Sequence, residues 1–131
     1  MLYLLLLGAV SLLQAQSPEA TIVNSGSTNL PGFRIAVKRT GVAEMNKRGK
    51  SVQRKLAPET IERFYADLKA AEPLAALPKV YCMKSASFGS SLSVEIASDK
   101  TPDLSCGDGD NAAMRNLIRD VQEIVALFPN E

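Results

Sequence analysis

Histidine is absent from the 131 residues, and that excludes much of the chemistry open to a small protein. A Ser-His-Asp or Cys-His relay needs an imidazole to take a proton near neutral pH, and His-ligated zinc needs its nitrogen. Lys84 stands beside Ser85, Ser87, Ser90 and Ser91, the ingredients of a serine-lysine nucleophile, yet neither S-x-x-K nor G-x-S-x-G occurs. A bulge or a side chain snorkelling at a sheet edge explains Lys84 more simply. Asp108-Gly-Asp-Asn111 has the look of an opening calcium loop, because carboxylates on alternate residues of a turn converge on one point. An EF-hand then needs a bidentate Glu at its twelfth position, and counted from Asp108 that position is Arg119. Acidic caps on a helix N-terminus account for the same residues. Asp99, Asp103, Asp108 and Asp110 share one loop, but nothing fixes the cleft or separation that glycoside chemistry requires.

Two features remain. Cys82 and Cys106 are the only cysteines; they lack the C-x-x-C spacing of metal and redox motifs, which favours a disulfide. The loop so closed stabilises by about 3.5 kcal/mol in the chain-entropy model. Lys47, Arg48, Lys50, Arg54 and Lys55 form the strongest local charge signal, a solvated hairpin tip or a patch for an anionic protein or glycan. Aromatic residues are scarce there, so stacking on nucleic acid is not expected. Between Arg34 and Lys55 eight basic residues face Glu44 alone, whereas from Glu95 onward eight acids face Lys100, Arg115 and Arg119. A bipolar molecule is expected.

Periodicity supplies the elements that would position these groups. Thr21–Asn24 is a short strand candidate. Phe33, Ile35 and Val37 alternate with polar residues, the period of a half-buried strand, and Arg39-Thr-Gly41 turns the chain into a second, Val42–Met45. Ser51–Leu56 resumes a weaker extended pattern. Pro58 and Glu59 open a helix whose stripe is Ile61, Phe64, Tyr65, Leu68 and Ala71, with Glu59, Arg63 and Asp67 spaced to pair along the opposite face. Pro73 ends it. Lys79–Ser87 and Leu92–Ala97 read as a second hairpin about a Phe88–Ser91 turn, with a possible further short strand near Leu104. Asp110 or Asn111 caps a helix with the stripe Met114, Leu117, Ile118, Val121, Ile124 and Val125. The expected fold is α+β: an antiparallel sheet of four to five strands with two helices on one face, in a ββαββα plan. The rival sets the helices at opposite ends of the sheet.

The chain opens with the apolar run Leu4–Leu13, too short for a bilayer-spanning helix and typical of an export signal. Residues 1–15 are read as that signal, cleaved near Ala15, residues 16–19 as a flexible lead-in, and residues 20–131 as a single domain. No integral membrane segment is expected in the mature chain. Export implies an oxidising compartment, bacterial periplasm or exterior, which suits a disulfide.

Ser25-Gly-Ser-Thr-Asn-Leu-Pro-Gly-Phe33 with Ile35 and Val37, and Cys82-Met-Lys-Ser-Ala-Ser-Phe-Gly89 closing with Pro102-Asp-Leu-Ser-Cys106, resemble a set of small exported bacterial proteins with a domain of unknown function. These are turn and disulfide motifs, so the resemblance assigns no chemistry. The function expected is a non-enzymatic exported binding or interaction module, including an inhibitor of another secreted protein. The alternative is a small exported hydrolase or calcium-dependent enzyme using residues 99–110. No cofactor and no metal site are implied.

Overall fold

The computed structural model describes residues 17–129; the expected export signal lies outside the described residues. The element order is β1 (Ala20–Asn24), β2 (Phe33–Val37), β3 (Val42–Lys47), β4 (Lys50–Lys55), α1 (Pro58–Ala70), a 3-10 turn (Leu74–Ala76), β5 (Leu92–Ile96), β6 (Asp99–Lys100) and α2 (Ala112–Val125). The fold is α+β, with six antiparallel strands in the order β4-β3-β2-β1-β5-β6. The ββαββα plan is therefore corrected to four strands, a helix, two strands and a helix.

Two causes lie behind that correction. Ser51–Leu56 carries too few apolar residues to announce a strand, yet Lys50–Lys55 pairs along the whole of β3 and is exposed throughout. Lys79–Ser87, read as a strand, has none of the regular structure expected and is mostly exposed. Its alternation came from residues that never meet a ladder. The further strand is at Asp99–Lys100, not near Leu104.

β1 lies at the centre of the sheet, with Ile22 opposite Ile35 on one side and Val94 on the other. Ala20, Ile22, Ile35, Val37, Ala43, Met45, Val94 and Ile96 bury one sheet face, and the stripes of both helices join them in one core. The rival with helices at opposite ends is thereby replaced by two helices on one face. Pro58 stands in the first turn of α1, where its missing N–H is no loss, and Asn111 caps α2 by accepting from Met114 N at 2.9 Å. Tyr65 ties α1 to the sheet: its hydroxyl donates to Val37 O and accepts from Ala20 N, while the Arg39 guanidinium lies over its ring. Contacts of the domain reach back into the lead-in, since Arg39 takes Glu19 and Pro18 as partners.

Beyond β6, Pro102 has no N–H to offer a ladder, and side chains take over. Thr101 Oγ1 accepts from Val94 N and Asp103 Oδ1 from Leu92 N, both at 3.0 Å, while Leu104 N donates to Leu92 O. The edge of β5 is thus satisfied through the segment that carries Cys106.

Candidate functional site

Pairing register decides what the basic run becomes. Residues facing each other across β3 and β4 share a sheet face, so Lys47 with Lys50, Met45 with Val52 and Ala43 with Arg54 point to the helix side, and Lys55 with Val42 points away. The helices do not extend over β4. There Phe33, Met45 and Val52 form the floor of a groove of about 300 Å³, Val125, Phe128 and Pro129 its wall, and Lys47, Arg48, Lys50 and Arg54 its rim. Arg54 is fixed in place, its Nε donating to Leu127 O at 3.3 Å and its guanidinium 5.8 Å from the Phe128 ring centre. Among the described residues none of Lys47, Arg48, Lys50, Arg54 or Lys55 forms a salt bridge. Of the five patch residues four converge, and Lys55 is absent from the groove lining. The apolar component escaped the sequence reading because Phe33 and Met45 looked like ordinary strand residues and Phe128 lies just past the helix.

The bipolar charge expectation is met only in part. On the open sheet face Arg34 reaches Glu95 at 3.1 Å, Lys100 reaches the same Glu95 at 3.6 Å, and Lys38 pairs with Glu44 at 3.5 Å. Basic and acidic segments therefore neutralise each other where the strands interleave, and among the described residues the β3–β4 hairpin gathers cations that form no salt bridge.

The acidic loop disperses. Asp99 accepts from Leu74 N and Ala75 N and caps the 3-10 turn. Asp108 accepts from Asp110 N at 2.8 Å and from Arg115 Nε at 2.7 Å, which holds its carboxyl below the usual range. Asp103 faces Lys84. Among the described residues no three His, Cys, Asp or Glu side chains gather as a metal would require. Lys84 Nζ binds Asp103 and Ser90 O rather than a serine hydroxyl, so the serine-lysine pairing is not assembled. Ser85 Oγ instead accepts from Ser87 N and Phe88 N, both at 3.3 Å, an ST-type turn. Cys82 and Cys106 are joined in a disulfide with Cα atoms 5.4 Å apart. A groove of about 340 Å³ runs beside it, lined by Lys79, Val80, Tyr81, Lys84, Pro102 and Asp103 among others.

One ionisable pair was missed. Asp120 sits on α2 with its side chain wholly buried, its Oδ1 accepting from Arg63 Nε at 2.8 Å, and the Arg119 guanidinium forms a longer ion pair with the same oxygen at 3.7 Å. Burial, then the neighbouring Asp67 carboxyl, pushes Asp120 up to about 6. Arg63 also pairs with Glu123 and Arg119 with Asp67 at 3.5 Å, so the expected Glu59–Arg63–Asp67 ladder along α1 is replaced by bridges between the helices. Two carboxyls with one raised value suggest acid-base work, but each is held by an arginine of the helix interface and neither lines a groove described here.

Comparison with known proteins adds no assignment. The chain matches no protein-family model, and no curated protein matches it. The geometry has to carry the functional reading alone.

Proposed function

We propose that this protein is an exported, non-enzymatic binding module, and that it engages an acidic segment of a protein partner at the β3–β4 groove. The observation that carries the reading is the joining of an apolar floor to four cations that form no salt bridge among the described residues. Cations at the rim attract anions and speed encounter. Phe33, Val52 and Phe128 then give an apolar side chain somewhere to be buried. A glycan would meet the charge but leave that floor unused, which favours a peptide bearing both carboxylates and an apolar residue. β4 is an edge strand, so its outer backbone groups can also receive an added strand. Export rests on the apolar opening run and accords with the disulfide. The hydrolase and calcium readings lose their support in the separate engagement of Asp99, Asp103 and Asp108.

Fluorescence anisotropy with labelled Asp/Glu-rich peptides, with or without one Leu or Phe, and with a sulfated glycan tests this. The apolar-containing peptides should bind tightest, weaken as salt rises, and lose affinity when Lys47, Arg48, Lys50 and Arg54 are changed to Gln. Equal binding of peptides with and without the apolar residue, or no binding, would overturn the reading.

A further inference from the structure

The chain from Lys79 to Lys84 is built unlike any other part of the domain. Tyr81 and Met83 are among the most exposed large apolar side chains of the described residues, and Met83 is fully exposed. Along these six positions no main-chain N–H or C=O makes a hydrogen bond among the described residues. Exposed backbone left to water is ordinary in a mobile loop, but this one is fastened. Val80 packs against the core, and a Cβ on Gly109 would come within 2.8 Å of Pro78 and 3.1 Å of Val80, so only glycine allows that seating.

Both neighbours of Met83 are then tied to one short stretch of chain. Cys82 is bonded covalently to Cys106, and Lys84 is held by Asp103 and by Ser90 O at 2.8 Å. Asp103 is itself fixed by Leu92 N and by Ser105 N and Oγ. On the far side, Gly89 N closes a turn onto Ser85 O at 2.7 Å, and a Cβ on Gly89 would strike that same oxygen. The result is one apolar side chain held outward on a backbone with free donors and acceptors, clamped immediately before and after.

We propose that Tyr81–Ser85 is a substrate-like segment that docks in the cleft of an exported serine endopeptidase with an apolar specificity pocket, and that Met83 fills that pocket. Such clefts take a main chain by strand-type hydrogen bonds, for which Tyr81–Lys84 have free groups among the described residues. The clamp reduces the ordering cost of docking, and the unbranched thioether adapts to pockets of several shapes. It also opposes cleavage. Attack by the peptidase serine on the Met83 carbonyl forms an ester and breaks the Met83–Lys84 amide, the Lys84 amine leaving with a proton from the peptidase's general acid. Cys82 and Lys84 remain pinned to the same stretch, so that amine stays in reach, returns its proton, re-forms the amide and expels the serine. This surface lies by the N-terminal end of α2, whereas the cationic groove lies at its C-terminal end, so the two proposals share only the premise that the protein acts by binding.

Steady-state hydrolysis of a chromogenic peptide by chymotrypsin and by subtilisin is the test. Wild type should inhibit at least one of them, and Met83→Asp should weaken inhibition by about 100-fold, as loss of a buried anchor does. Met83→Lys should transfer inhibition to trypsin. Cys82→Ser with Cys106→Ser should turn the inhibitor into a substrate cut after Met83, visible by mass spectrometry, and the Gln variant of the cationic groove should inhibit as wild type does. No inhibition at about 10 μM, or cutting of wild type as fast as the disulfide-free variant, would overturn the proposal. So would Met83-dependent binding to phosphatidylcholine vesicles without inhibition, which would make the segment a membrane contact.

Discussion

The ends of α2 carry two surfaces with opposite constructions. At the β3–β4 hairpin the cations form no salt bridge among the described residues and lie around an apolar floor; at the disulfide Lys84 is matched to Asp103 and its loop is tied by a covalent bond. Unmatched charge attracts from a distance and tolerates many shapes, although salt at physiological strength confines it to about 8 Å. A matched and pinned loop has little reach but presents one side chain in one place. The same 22% of charged residues thus serves attraction in one region and geometry in the other.

The contrast can be broken most forcefully at the covalent tie. Cys82→Ser with Cys106→Ser should cost about 3.5 kcal/mol in urea unfolding and leave anionic-peptide binding at the groove unchanged. If groove binding falls as well, the two regions are not independent.

The interhelical carboxyl comes next. Burial holds the Asp120 pKa near 6, above its unfolded value, so the folded state binds more protons between those values. Stability should therefore decline as pH rises from about 4 to about 6, by on the order of 2 kcal/mol. Asp120→Asn should flatten that profile, as followed by thermal unfolding across the range. A profile unchanged in the variant would locate the titration elsewhere.

Asp103 has the opposite sign. Partial burial pushes its carboxyl up, but Lys84, Leu92 N and Ser105 outweigh this and hold it at about 2. Its contribution should be present above pH 4 and lost as the pH falls through about 2. Asp103→Asn should cost about 1 kcal/mol and raise amide exchange in residues 84–92 at neutral pH, with the groove unaffected.

The smallest effect is expected at the groove rim. Changing Lys47, Arg48, Lys50 and Arg54 to Gln should alter stability by under about 0.5 kcal/mol per site while reducing the salt dependence of peptide binding. A large loss of stability would mean that Arg54 over Phe128 acts mainly as packing.

Legibility in the sequence followed the strength of local periodicity. Helix α1 and α2 were readable because Ile61, Phe64 and Leu68, and Met114, Leu117, Val121 and Ile124, repeat at the helical period and are buried in the structure. The disulfide was readable because only two cysteines were present. β4 was obscured because its inward positions hold Lys50, Val52 and Arg54, residues suited to an uncovered edge rather than a core. The groove was illegible for a related reason: it joins Phe33, Val52 and Phe128, which meet only through strand order and helix placement. The role of Asp120 was not legible, because a buried carboxylate depends on Arg63 of the other helix, which no local pattern announces.

The central position of β1 bears on how the chain reaches this state during synthesis. The hairpins β2–β3 and β3–β4 close over a few residues, whereas Ile22 must wait for Val94, more than seventy positions later. Closure of a ladder over that separation is slow relative to local pairing. An emerging chain can therefore form the β2–β3–β4 meander early while the other side of β1 stays open until β5 has been made. Whatever handles the polypeptide in that interval meets an unfinished sheet with one hydrophobic edge, and only the second half of the sequence can seal it.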